Sequence, residues 1–420
     1  MAKLVLGNDK TVVTPAIVRD VAPTYYIEKG LYDGAYSNNT ANVADFSGVT
    51  KLDFYALAYA YADFKSNTSP TPNRFVAFNN VDIDLGNVTS MEEHALDYAF
   101  YNRRGINSVK LGAPNSELRL SSYIFAKTYM NSAILGCSVL GVNARGIFNS
   151  SGIKTCSMNY LTTIEYGGAQ GMFQDSALQS ANMPELLSIT STTSYKSAEY
   201  MFGGAVLMTS LSAPKLTTIG SYSANNFCRA CSILTDIDLR SLETIGAGNS
   251  NNYTCQEWFS YCTSLEEVRF PSLKTIGVYA FIASFAYDTA LKALWFYAID
   301  TSTVPGNYCM KNMLAGVTGC TIHFPKALDG VWTNTSIFGG TNTVVLFDLI
   351  TSLTGADSNT YTRSEKNSTA TATAWLYNDT LYYTSGVSNY AAGVNEPSVG
   401  GTIYSDAACT TAVTTISSIA

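Results

Sequence analysis

A short template recurs along the middle of the chain, and it limits the fold more than any other feature of the sequence. The closing isoleucines of its four clearest copies are spaced by 30, 26 and 31 residues. Self-similarity at such a period predicts a solenoid, in which each unit buries its apolar edge only against its neighbours. The four copies are Met183–Ile189, Ala213–Ile219, Leu239–Ile245 and Phe270–Ile276.

Each copy begins with a short alternating segment such as Ile237-Asp238-Leu239. This period of two predicts a half-buried strand. The Leu and Ile that follow at three-residue spacing indicate a tight turn or a 3₁₀ segment that packs inward. Aromatic residues then lead the chain to the next copy: Phe173, Phe202, Phe227, Phe259 and Phe281.

The run from Phe259 to Gly277 resembles the BspA-like class of leucine-rich repeats. The resemblance is specific over about 153–325 and weaker over about 43–111, while 112–152 has no assignable register. It implies a leucine-rich-repeat solenoid of short parallel strands joined by turns or 3₁₀ segments. That class functions in adhesion and ligand binding on microbial surfaces, and similar repeats occur in bacteriophage structural proteins. The resemblance implies no catalytic residues and no cofactor.

The two ends of the chain depart from the repeat pattern. Residues 1–42 are predicted to form a β-rich anchoring arm, with a hairpin whose strands Leu4–Leu6 and Thr11–Val13 flank a polar turn. The solenoid is assigned to 43–340. The Thr- and Tyr-rich segment 341–420 contains alternating runs that predict a small all-β module.

Composition excludes several classes of function. The formal charge is −7, and the absence of a Lys/Arg cluster argues against nucleic-acid binding. His94 and His323 lie far apart, which leaves little material for a metal site or a histidine base. The apolar stretch 278–299 is interrupted by Asp288 and Lys292, so we expect no membrane span. The first residues also lack a signal-peptide core, so classical secretion is not expected.

Nine cysteines, an odd number, argue against a disulfide framework. Cys228 and Cys231 form a CxxC pair that could indicate a redox or zinc half-site. The alternative is a buried thiol carried by the repeat, because Cys231 and Cys262 both begin a Cys-[Ser/Thr]-x-Leu pattern. The second interpretation is favoured, since no other CxxC exists to complete a metal site.

The outward residues of the predicted strands form two columns on the open face of the sheet. One runs through Ser157, Asn182, Ser212, Asp238, Arg269, Trp295 and His323. The other runs through Thr155, Ser180, Ser210, Asp236, Glu267, Ala293 and Thr321. With an exposed Trp295, this polar surface suits sugar hydroxyls or a protein. A merely solvated sheet face is the alternative.

Carboxylates in these columns raise the question of glycoside cleavage. Asp236, Asp238 and Glu267 could supply the two carboxyl groups that general acid and base catalysis requires. A structural ion pair with Arg269 is the favoured alternative, because opposite charges on neighbouring strands usually pair.

The C-terminal module concentrates aromatic residues, which are typical of binding hot spots. An alternative is that they pack the small module or a subunit interface. These residues are Trp375, Tyr377, Tyr382, Tyr383 and Tyr390.

Together these features predict a non-enzymatic virion protein, such as a phage head-fibre or tail-associated receptor-binding subunit. Its expected partners are other virion proteins, bound through the N-terminal arm, and a host-surface glycan or protein. A homo-oligomer such as a trimer is expected, as in other fibres. A bacterial cell-surface adhesin is the second hypothesis, and a polysaccharide depolymerase that uses the acidic columns is the third.

Overall fold

The computed structural model describes four strands before residue 81 and most of the chain from 81 to 419. The early strands cover 3–5, 12–13, 43–45 and 51–52. The gaps in the later part are 93, 120, 192–195, 250–251, 300–307, 330–337, 348–349, 351, 365–366, 369–371, 386–396 and 398.

Parallel strands from successive coils form a first ladder along one side of a solenoid. Its hydrogen-bonded groups are β1–β3, β5–β7–β9–β11, β13–β15–β17 and β19–β21–β22–β23. With strands numbered in chain order, it contains β1 (Lys3–Val5), β3 (Val43–Asp45), β5 (Val81–Leu85), β7 (Ile106–Leu111), β9 (Ser132–Leu135), β11 (Thr155–Ser157), β13 (Ser180–Asn182), β15 (Ser210–Ser212), β17 (Asp236–Asp238), β19 (Glu267–Phe270), β21 (Ala293–Phe296), β22 (Thr318–Pro325) and β23 (Thr341–Phe347).

A second parallel ladder is built from two-residue strands that end the repeat template. Its groups are β2–β4–β6 and the continuous run from β8 to β20. Its members are β2 (Val12–Val13), β4 (Lys51–Leu52), β6 (Ser90–Met91), β8 (Glu117–Leu118), β10 (Val139–Leu140), β12 (Thr163–Ile164), β14 (Ser188–Ile189), β16 (Thr218–Ile219), β18 (Thr244–Ile245) and β20 (Thr275–Ile276).

The repeat register predicted from the sequence is confirmed. Ile189 lies beside Ile219, which lies beside Ile245, and Ile245 lies beside Ile276. Leu242 is fully buried, and its N–H closes a tight turn on the carbonyl of Leu239 at 3.0 Å. The leucine therefore ends a turn as expected, whereas the isoleucine enters a strand of the second ladder. The described 3₁₀ segment is Lys326–Leu328.

The third side of each coil is a series of turns with an unusual backbone. N–H groups of one coil donate to carbonyls of the next, as from Phe125 to Ile147 and from Phe148 to Met172, both at 2.8 Å. The phenyl rings of Phe100, Phe125 and Phe148 stack in the core behind these turns, with centroids 5.0 and 5.8 Å apart. This stack supplies the register that the sequence leaves open between 112 and 152.

Two columns of residues with left-handed backbone conformation flank this phenylalanine stack. Such a conformation is uncommon for residues other than glycine. The first holds Tyr98, Tyr123, Gly146, Gly171, Tyr200, Asn226, Glu257, Ala283 and Asn312. The second holds Asn102, Lys127, Ser150, Asp175, Gly204, Ala230, Tyr261, Tyr287 and Gly316.

The N-terminal hairpin predicted from the sequence is wrong. Strands β1 and β2 do not pair with each other, because each lies on a different side of its coil. Instead β1 pairs in parallel with β3, and β2 pairs in parallel with β4. At the other end, β23 pairs with β22. Strand pairing therefore crosses both of the boundaries placed at 42 and 340, which remain predictions.

The C-terminal segment forms the small all-β module expected from its alternating runs. Six antiparallel strands close into a barrel when the last pairs with the first. Its core contains Leu353, Tyr361, Trp375, Ile403 and Ile416. The strands are β24 (Ser352–Gly355), β25 (Thr360–Arg363), β26 (Ala372–Tyr377), β27 (Thr380–Ser385), β28 (Thr402–Tyr404) and β29 (Ala412–Ile419).

Candidate binding cleft

Besides the breaks between β3 and β5 and between β11 and β13, the described part of the first ladder is interrupted between β17 and β19. Among the described residues, no strand pairing joins these two strands, although their coils are adjacent. Before the break, the Ser264 N–H donates a hydrogen bond to the Ser232 carbonyl at 3.1 Å, which links the two coils. After the break, the Ser272 hydroxyl donates a hydrogen bond to the Arg240 carbonyl at 2.8 Å, which links them again. The second ladder remains continuous through β18 and β20.

A cleft of about 710 Å³ opens at this interruption. Residues from both sides of the break line it, together with Tyr297 and, from the C-terminal barrel, Ser368. Asp238 and Arg269, two residues predicted from the sequence, both line it. The full lining is Thr235, Asp236, Ile237, Asp238, Leu239, Arg240, Ser264, Glu266, Glu267, Arg269, Pro271, Tyr297 and Ser368.

Two acidic groups of the cleft form ion pairs with arginines that follow them two residues later in the chain. Both carboxylate oxygens of Asp238 accept hydrogen bonds from Arg240 at 2.7 Å. Arg269 donates through Nε to Glu267 Oε1 at 2.7 Å. The ion-pair interpretation is confirmed for Glu267, whereas Asp238 pairs with Arg240 instead of Arg269. Glu267 and Arg269 are residues i and i+2 of β19 and point to the same side, whereas Arg240 lies in the turn that follows β17.

The predicted exposure of Trp295 is wrong. The strand register is as expected, with Arg269 beside Trp295 and Trp295 beside His323. The Trp295 and His323 rings stack with centroids 3.4 Å apart, and Tyr297 stacks on the indole at 5.8 Å. The flat rings exclude water, so Trp295 is 3% exposed and His323 is 6% exposed.

Burial of the imidazole also changes its protonation. It lowers the pKa of His323 to about 4, although the charge of Glu267 acts in the opposite direction. His323 is therefore neutral at pH 7. The column predicted as an open polar surface thus ends in a closed aromatic stack beside the cleft.

The C-terminal aromatic residues are divided between core and surface. Trp375 is fully buried in the barrel and donates from Nε1 to Thr384 Oγ1 at 2.9 Å. Tyr377 and Tyr382 pack half-buried against the same core, and Tyr383 is also half-buried. Trp375 therefore takes the packing role that the sequence left as an alternative. Tyr390 lies outside the described residues, and binding by the tyrosines stays a prediction.

Exposed tyrosines in the turns on the third side of the coils were not predicted from the sequence as surface residues. Tyr261 and Tyr287 are 39% and 47% exposed, and their rings stack with centroids 4.8 Å apart. The Arg229 guanidinium lies 5.1 Å from the Tyr261 ring. Both tyrosines stand two residues after a buried phenylalanine, so the repeated Phe-x-Tyr spacing could have identified them.

The thiols lie mainly in the solenoid core. Eight of the nine cysteines are buried, including Cys231 and Cys262, which agrees with the repeat-borne thiol interpretation. Burial raises the pKa of Cys137 to about 12, and it also raises the pKa of Cys228. In the part of the chain that the structure describes, no group of His, Cys, Asp and Glu is arranged to hold a metal ion.

Comparison with protein families supports this repeat architecture. A family model for the BspA type leucine-rich repeat region matches residues 75–199 and 196–292 with six copies. These matches span 218 of the 420 residues. The chain belongs to the BspA-type leucine-rich repeat family. Membership indicates a binding or adhesion role at a surface, in a family of non-enzymatic repeat proteins.

The search of curated proteins gave no match to this BspA-type chain. Within the described ranges, no helix has the length and apolar character needed to cross a membrane.

Proposed function

We propose that this BspA-type chain is a non-enzymatic attachment protein carried on a virion, as a head-fibre or tail-associated subunit. The observation that carries the attachment role is the cleft at the break between β17 and β19. It offers polar groups of both signs beside a packed aromatic stack. Such an arrangement suits recognition of a host-surface molecule.

The state of the cleft carboxylates supports binding rather than cleavage. Glycoside hydrolysis needs one carboxyl group as an acid and a second as a base or nucleophile. Asp238 and Glu267 instead accept hydrogen bonds from Arg240 and Arg269. These ion pairs can hold a ligand, but they do not form a pair of carboxyl groups with opposite roles.

The buried thiols support assembly inside a cell. Cys228, Cys231 and Cys262 pack near one another in the core as free thiols. Chains that fold in a reducing compartment tolerate such groups, whereas exported proteins usually convert cysteines to disulfides. A virion subunit folds in the cytoplasm of the infected cell. As part of this proposal, residues 1–42 contact other virion proteins and the chain forms a homo-oligomer such as a trimer.

A bacterial cell-surface adhesin is the second candidate function. Family membership favours it, because BspA-type proteins act at microbial surfaces. The cleft would serve an adhesin as well as a virion subunit. The two candidates therefore differ in where the chain is displayed.

Localisation of the native chain tests the proposal. Antibodies against the solenoid should label purified virus particles by immunogold electron microscopy, and the chain should be found in those particles by mass spectrometry. Labelling of intact, uninfected bacterial cells with no labelling of particles would support the adhesin and contradict the virion assignment. Purified chain that attaches to no cell surface would contradict the attachment role itself.

A further inference from the structure

We propose that the cleft between β17 and β19 binds an uncharged carbohydrate chain. This inference rests on the proposed attachment function and specifies the ligand of the same site. It follows from the hydrogen-bonding groups, the balance of charge and the rigid floor of the cleft.

The cleft supplies hydrogen-bond donors and acceptors in pairs. Arg240 with Asp238 lies on one side, and Arg269 with Glu267 lies on the other. Each pair joins guanidinium N–H donors to carboxylate acceptors. Sugar hydroxyl groups both donate and accept, so neighbouring hydroxyls match such a pair. The hydroxyl of Ser264 extends the same chemistry.

Three of the four carboxylates that line the cleft are paired with basic side chains. Asp238 and Glu267 are paired with arginines, and Glu266 is paired with Lys292 at 2.8 Å. Asp236 accepts a hydrogen bond from the neutral Thr235 hydroxyl at 3.1 Å. An anionic ligand would meet this additional carboxylate, and a charged ligand of either sign would compete with an existing ion pair. An uncharged ligand leaves every pair in place.

Tyr297, which forms the floor of the cleft, is held in place by packed aromatic rings before any ligand binds. Tyr297 is 2% exposed and stacks on Trp295, which stacks on His323. Locked side chains lose little conformational entropy on binding. The volume of the cleft also lies within the usual range for small-ligand sites, about 300 to 1,000 Å³. The site therefore fits a short segment of a polysaccharide.

Affinity electrophoresis of the full chain tests this inference. The gels contain dextran or mannan as uncharged polysaccharides, or polygalacturonate as an anionic one. We expect dextran or mannan to retard the chain. Retardation should persist between about 0.1 and 1 M salt, over which the screening length falls from about 10 to 3 Å. Asp238→Asn and Arg269→Gln should each weaken retention by about tenfold, because each removes a charged hydrogen-bonding partner.

A matched control variant exists on the same face of the solenoid. Asp84 lies in β5, whose register leads through Lys110 and Ile134 to Ser157 of the predicted column, and it pairs with Lys110 at 2.9 Å. Asp84→Asn removes a similar half-exposed ion pair outside the cleft and should leave retention unchanged. Equal thermal unfolding midpoints for the three variants would show that all are folded.

Each contrary result has a distinct meaning. Retention by polygalacturonate alone, or no retention by either uncharged polysaccharide, overturns the carbohydrate inference. Unchanged retention of Asp238→Asn and Arg269→Gln places the site elsewhere and also overturns it. If the chain still attaches to bacterial cells in these cases, and protease treatment of the cells abolishes attachment, the ligand is a protein and the attachment role stands. Failure of the unaltered chain to attach to any cells contradicts the proposed function instead.

Discussion

Asp288 is a carboxyl group enclosed in the solenoid core. It is fully buried, and its Oδ1 accepts a hydrogen bond from the Cys262 N–H at 2.7 Å. Oδ2 has no hydrogen-bond partner in the described part of the chain. Burial raises the pKa of Asp288 well above its usual range, and the Cys262 N–H only partly opposes this effect. The protonated form is therefore the one that the core accommodates.

Stability should consequently fall as pH rises through the raised pKa of Asp288. Below its unfolded pKa of about 3.9 the group is protonated in both states, and above that value the folded state binds more protons than the unfolded one. Asp288→Asn is neutral at every pH and should remove this loss. Urea unfolding of both proteins from pH 4 to 8 measures it. A parallel decline in the two proteins would contradict this assignment.

His323 should have the opposite effect on the acid side. Its folded pKa is about 4, whereas an unfolded histidine titrates at about 6.5. The neutral ring thus contributes stability that is present above pH 6.5 and is lost as pH falls towards 4. His323→Phe keeps an aromatic ring beside Trp295 without a proton to bind. The free energy of unfolding of this variant should vary less between pH 7 and 4. If it falls as much as in the unaltered protein, His323 is not the cause of the loss of stability at acid pH.

At the scale of the element, the second ladder depends on a continuous row of buried isoleucines. Ile245 is fully buried in β18 between Ile219 and Ile276. Ile245→Asp should lower the free energy of unfolding by about 4 kcal/mol or more, because it places an unpaired charge in the core. Thr244→Asp, on the half-exposed neighbour, should change it far less. Urea denaturation distinguishes the two, and equal losses would contradict the inward orientation of Ile245.

The barrel should respond strongly to the loss of its central indole. Trp375 is fully buried and its Nε1 is hydrogen-bonded to Thr384. Trp375→Ala should destabilise the barrel by about 3 to 5 kcal/mol through the cavity that it leaves. Tyr383→Ala, at a half-buried position, serves as the milder comparison. Thermal unfolding followed by hydrogen exchange of the amides in β24 to β29 reports the difference, because the substitution removes the only indole of the barrel segment. A barrel that melts normally without the indole would show that Trp375 is not a core residue.

Local pattern was sufficient to predict the first ladder. The alternation in Ile237-Asp238-Leu239 and the repeated isoleucines fixed both the strands and their register. Alternation also predicted an all-β C-terminal module. The second ladder was missed as a sheet, because two residues are too few to show a period.

Features that depend on contacts with other coils could not be predicted from the local sequence pattern. The burial of Trp295 results from Tyr297 and from His323 in the next coil. The left-handed backbone at Tyr261 and Tyr287 has no reliable signature in the side chain. Glycine at 316 suits both its φ of 74° and its packing, because a Cβ there would lie 2.6 Å from the Tyr287 ring. The cleft lies where β17 and β19 do not pair, which the regular repeat conceals.

At the scale of the whole molecule, the N-terminal strands extend the solenoid. β1 and β2 cover one edge of β3 and β4. Deleting residues 1–42 should therefore expose those edges and loosen the first coils, while later coils stay folded, since each coil depends on its neighbours. Hydrogen exchange should show faster amides in β3 and β4 and unchanged amides in β14 to β18. Under the proposed function, the truncated chain should also fail to enter particles, and normal incorporation would contradict the anchoring role.

The two ladders differ in one respect that has mechanical meaning. The second is joined without interruption from β8 to β20, whereas over the same coils the first is divided between β11 and β13 and between β17 and β19. A solenoid whose coils are paired along one side and unpaired along the other can bend by a hinge rotation about the paired side. Small rotations about the contact of β18 with β20 would change the width of the cleft without breaking a strand pair. Faster hydrogen exchange in β17 and β19 than in β16 and β18 would report this motion, and equal rates would exclude it.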